Sequence, residues 1–91
     1  MLAQTKSSCM KRLSRIEGQV RGIARMIEEG RYCIDVVTQV SAARAALASV
    51  ESEIIKDHVS HCVEHAIMSG DKDQQRAKVT ELVETLSRRA R

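Results

Sequence analysis

The ten residues DHVSHCVEHA, positions 57 to 66, hold three histidines and one cysteine. Imidazole and thiolate donors together suit a soft or borderline metal ion. An α-helix turns by about 100° per residue, so His58 and Cys62 are neighbours on one face; His65 lies a turn further along, and His61 points elsewhere. One cysteine with one or two imidazoles is an incomplete ligand set. The other cysteine in the body of the chain is Cys33, 25 residues before His58. On a continuous helix rising ~1.5 Å per residue, the two are roughly 37 Å apart. One chain cannot close a site with both, whereas an antiparallel second copy can bring its Cys33 to His58 and Cys62. Two-fold symmetry then repeats the site at the other end. One imidazole and two thiolates favour Cu(I), while structural zinc needs a fourth ligand such as His65. The plainer alternative makes Cys62 a small hydrophobe and the histidines surface residues. Cys9, near the start of the first helix, is read as incidental and His61 as solvated.

The elements that must position these side chains follow from composition. Ninety-one residues with no proline, four glycines and one aromatic residue, Tyr32, predict a single all-α domain over 1–91. Residues 1–6 are expected to be flexible. So little aromatic area favours gaining core by oligomerisation. Ser7 or Ser8 is placed at the start of the first helix, and Gly30 at its end. Leu13, Ile16, Val20, Ile23 and Ile27 form a heptad-like seam between them. A long central helix is predicted from Tyr32 to Ser69, uninterrupted, with Gly70 ending it. Val36, Val40, Ala43, Leu47, Val50 and Ile54 form one apolar stripe along it. Ile34, Val37, Ala45, Ala48, Ile55, Val59 and Ala66 form a second. Two stripes require cover on more than one side, hence a partner chain. Asp71 or Asp73 caps a short third helix on which Val79, Leu82, Val83 and Leu86 share a face.

Charge is unevenly spread. Residues 1–31 carry seven basic and three acidic side chains, a net of +4, and residues 32–75 carry three and seven, a net of −4. Residues 76–91 carry five and two, a net of +3. A basic N-terminal segment suits a polyanion such as DNA. No secretory signal is apparent, and no stretch is expected to approach the ~20 apolar residues of a membrane span. Three scattered cysteines do not make a disulfide framework. A cytoplasmic location with reduced thiols is expected. No nucleophile with its base and no phosphate loop is present, so an enzyme with a small-molecule substrate is not expected.

The segments KRLSRIEGQVRGIARMIEEGRYCIDVVTQVSA and DHVSHCVEHAIMSGD resemble the CsoR/RcnR family of metal-sensing repressors. The likeness runs from Lys11 to about Leu86. It implies a three-helix protomer, an antiparallel four-helix-bundle dimer and a dimer of dimers. It also implies operator DNA bound without inducer and released with it. By position, Cys33, His58 and Cys62 match the Cu(I) ligands of the copper-sensing branch, which selects His58 over His65. Tyr32 and Glu81 match residues that link the bound metal to the third helix. Lys11, Arg12, Arg15, Arg21 and Arg44 are the candidate DNA contacts, with Arg12 and Arg15 foremost and Arg21 the most structural. Nickel and cobalt sensors of the family use an N-terminal histidine and a histidine in place of Cys62. Formaldehyde sensors lack the second thiol. Persulfide sensors keep both cysteines but lack the histidine, so a reactive-sulfur response through Cys33 and Cys62 is the competing reading.

Overall fold

The computed structural model describes residues 1–89. Arg91, counted in the C-terminal basic run, lies outside the described residues. Helices account for nearly all of the described chain: α1 (Ala3–Glu28), α2 (Cys33–His58), a π-helical turn (Val59–Val63), α3 (Glu64–Ser69) and α4 (Lys72–Arg89). No strand occurs among the described residues. Two compact units form, Met1–Ile55 and Lys56–Arg91.

In the first unit α1 lies against α2. Cys9 and Ile16 from α1 meet Val50 of α2, with the half-buried Ala46 beside them. Burying a side chain such as Ile16 stabilises by roughly 1.5–3 kcal/mol. Cys9 is therefore a core residue and not incidental: at 5% exposure it serves as a small hydrophobe. The helix also begins earlier than the serines suggest. Ala3 opens it, Leu2 is the N-cap without a side-chain bond, and Lys6 N–H donates to the Leu2 carbonyl. Residues 3–6 are thus helical where flexibility was expected. The start lacks the polar cap that sequence reading relies on. At the other end Gly30 adopts φ +69°, Gly30 N–H donates to Ile27 O, and Arg31 N–H donates to Met26 O. This pair of bonds is a Schellman motif, which places a left-handed residue where only glycine is unstrained.

In the second unit the central helix is not uniform. Glu64 N–H bonds to Val59 O, five residues back, so Val59–Val63 forms a wider π turn in place of the uninterrupted α-helix expected. Valines, a serine, a histidine and a cysteine contain no helix breaker, and nothing in their pattern announces the change. Such turns recur at functional sites. Gly70, at φ +73°, ends α3. Asp71 then caps α4: its Oδ1 accepts from Asp73 N–H at 2.9 Å and Gln74 N–H at 3.3 Å. Asp71→Ala is expected to lower stability by about 1 kcal/mol, read as a fall in the thermal unfolding midpoint. Packed against α3 and the π turn, α4 half-buries Leu82, while Val79, Val83 and Leu86 stay exposed.

By length and composition alone, the 37-residue stretch Cys33–Ser69 is long and apolar enough to cross a membrane, contrary to expectation. Within the chain only 11% of its most apolar window is buried. The expectation missed this because Asp35 and Arg44 are spaced widely enough to leave the rest of the window apolar. Ala43 and Val50 of the first stripe are covered, whereas Ile34 and Val37 of the second are exposed. A helix apolar on several sides needs several covers.

Candidate metal centre and DNA-facing surface

Cys33 is the first residue of α2 and His58 the last, with Cys62 in the π turn immediately beyond. Both thiols are exposed and unbonded to each other. Among the described residues of one chain, no group of three or more His, Cys, Asp and Glu side chains is placed to hold a metal ion. Tyr32 sits just before α2, where its carbonyl accepts from Asp35 N–H and Val36 N–H, and its side chain is exposed. His65 and His61 are exposed.

Around His58 the second unit builds a polar relay. The imidazole is 28% exposed as a side chain, yet its Nε2 atom is shut off from solvent and makes no aligned hydrogen bond. Glu81 Oε1 of α4 faces that atom at 3.2 Å. The other carboxylate oxygen, Oε2, lies 3.8 Å from Lys78 Nζ, one turn back on α4. An imidazole with one nitrogen turned to a carboxylate keeps the other nitrogen for a ligand bond, and the carboxylate raises its donor strength. The residues therefore fit a soft metal ion: one imidazole that faces a carboxylate through Nε2, and accessible thiols. Sequence reading placed Glu81 only by resemblance and missed Lys78. The Lys78–Glu81 spacing of three on a helix was the available signal.

The candidate DNA contacts fall in three settings. Gln4, Ser7, Ser8, Lys11, Arg12 and Arg15 line an open groove along one face of α1. Their spacing of three and four residues keeps them along that face, with Arg12 at its edge, one turn from Cys9 and Ile16 and so beside α2. Arg12 Nε also reaches Glu53 Oε2 of α2 at 3.3 Å. Arg21 is elsewhere on α1, bonded to Glu17 at 3.3 Å. Arg44 is exposed on α2. Glu53 was not found from sequence, because its partner is on another helix and no local spacing signals the pair.

Residues 5–88 match the family model described as metal-sensitive transcriptional repressor. The chain is 58% identical over 67 residues to the copper-sensing transcriptional repressor RicR of Mycobacterium tuberculosis, covering 74% of this chain and 70% of that protein. It is 49% identical over 72 residues to the copper-sensing repressor CsoR of Bacillus subtilis, covering 79% and 71%. The crystal structure of CsoR with Cu(I) from Geobacillus thermodenitrificans superposes with a TM-score of 0.90 at 40% identity, covering 100% of this chain and 92% of that one. These matches, spanning both units and the whole relay around His58, show that the chain belongs to the CsoR/RcnR family of metal-sensitive transcriptional repressors.

Proposed function

We propose that the protein is a Cu(I)-responsive repressor working in the cytoplasm as a single sensing domain. It binds operator DNA in its metal-free form and leaves it when Cu(I) binds between protomers. Cys33 of one protomer and His58 with Cys62 of an antiparallel partner are the ligands. The observation that carries this reading is the pairing of His58 Nε2 with Glu81 Oε1 at 3.2 Å. A purely thiol-based sulfur sensor has no use for an oriented imidazole, whereas a metal ligand does. The exposed apolar stripe of α2 supplies a surface for the partner, and a dimer of dimers multiplies the basic faces available to DNA.

Two thiolates and an imidazole would hold Cu(I) through soft donors. The protein's own part is to turn ligation into motion. His58 ends α2 and Glu81 belongs to α4, so holding the imidazole in one orientation also biases where α4 sits. One arrangement of the bundle presents the α1 basic faces in register with the operator, and the other does not. Reciprocity requires DNA to weaken metal binding by the same factor, typically 1–3 kcal/mol.

The test is an anaerobic titration of operator-bound protein with Cu(I), with X-ray absorption on the product. Release of DNA with two sulfurs and one nitrogen around copper is expected. Undiminished DNA affinity at full occupancy defeats the proposal. Glu81→Ala is expected to weaken Cu(I) binding by roughly 10- to 100-fold, measured by competition with a chelator of known affinity.

A further inference from the structure

We infer that Glu53 is a positioning residue for operator recognition: it anchors Arg12 through Nε and leaves the guanidinium's Nη1–Nη2 edge for a backbone phosphate. The inference rests on reading Arg12 as a DNA contact. Its starting point is a difference among the side chains of one surface. Lys11, Arg12 and Arg15 line the same open groove of α1. Of the three, Arg12 has an ion pair, Nε to Glu53 Oε2 at 3.3 Å, with a partner on the neighbouring helix.

The geometry of that contact matters more than its strength. A guanidinium is a planar fork of five donors, with one edge at Nε and another between the two terminal nitrogens. A carboxylate that occupied the terminal edge would compete with phosphate for it. The contact that Glu53 makes is at Nε, away from the terminal edge. The side chain of Glu53 is 29% exposed and that of Arg12 is 50% exposed, so the carboxylate is the more enclosed partner and the arginine the more open one. Arg21 and Glu17 differ in kind: they are four residues apart on α1, and their side chains are 72% and 71% exposed.

Phosphate contacts carry no base information themselves, but they set the register in which a protein lies on the duplex. A swinging cation tolerates many registers, whereas an anchored one favours few. Glu53 thus contributes discrimination between operator and other DNA, although its own charge opposes DNA of any sequence. Those two effects have opposite signs, which makes them separable.

The experiment measures binding of full-length wild type, Glu53→Ala, Glu53→Gln and Arg12→Ala to two probes. One is a duplex selected by the wild-type protein from a randomised pool, and the other is an unselected duplex of equal length. For Glu53→Ala the ratio of selected to unselected affinity is expected to fall roughly fivefold to tenfold, the scale of one immobilised long side chain. Glu53→Gln keeps an acceptor for Arg12 Nε–H and is expected to hold the ratio within about twofold of wild type. Equal tightening on both duplexes with Glu53→Ala, leaving the ratio unchanged, overturns the inference and makes Glu53 a simple charge brake. A ratio that falls equally with Glu53→Gln also overturns it. If Arg12→Ala binds both duplexes as wild type does, the reading of Arg12 as a DNA contact is itself overturned. Reduced affinity in Arg12→Ala with an unaltered ratio in Glu53→Ala removes the inference alone.

Discussion

Co-expressing Cys33→Ser and Cys62→Ser chains is expected to restore Cu(I) binding that neither variant has by itself. A homodimer of either variant lacks one thiol at both ends. In a mixed antiparallel dimer one end combines both lesions, and the other joins the intact Cys33 of one chain to the intact His58 and Cys62 of its partner. Random pairing of equal amounts then yields about one quarter of the wild-type capacity, because half the dimers are mixed and each carries one good site of two. The measurement is copper retained against a competing chelator, with the two chains carrying different tags so that mixed dimers can be isolated. Both thiols are exposed, at the start of α2 and in the π turn, so serine replaces them without disturbing a core. A mixture no better than its components would exclude head-to-tail sharing. A single variant that kept its metal would place the site within one chain.

Replacing Arg12 and Arg15 together with alanine is expected to weaken operator binding by more than about 100-fold and to reduce the salt slope by roughly 0.9 for each phosphate no longer neutralised. In a tetramer each side chain occurs four times, so modest single interactions accumulate. Fluorescence anisotropy across a range of salt concentrations reads both quantities. Cu(I) affinity should be unchanged, since neither residue is a proposed ligand or a partner of His58. Removing the Arg12–Glu53 pair is a small disturbance to folding, because an exposed ion pair contributes about 0.2–1 kcal/mol. Undiminished operator binding by the double variant would move the DNA surface away from α1.

The helix ends that depend on left-handed backbone were legible in the sequence. Gly30 and Gly70 both have positive φ, and both follow from the rule that only glycine adopts it without strain. Asp71 was legible for a related reason: a short carboxylate beside a helix start finds orphan amides. The beginning of α1 was not, since Leu2 offers no side-chain cap to recognise. The π turn escaped as well, because the residue types from Val59 to Val63 are compatible with either kind of helix. Cys9 was misjudged through its position near a terminus. Its burial depends on Val50, forty-one residues away, which no local pattern encodes. The same reason hid Glu53 from the sequence. His58 and Glu81 come from separate helices too, and only the family resemblance linked them before the structure placed them 3.2 Å apart.

Segregating the third thiol keeps the cysteine chemistry of this small chain unambiguous. Thiol-directed reagents react with whichever thiol they reach first, and Cys9 is sealed between Ile16 and Val50 while Cys33 and Cys62 face solvent. An alkylating reagent added to the native protein is therefore expected to report on the two exposed thiols without background from the buried one. The sealed one reacts as the fold opens, so each molecule carries its own internal gauge of integrity.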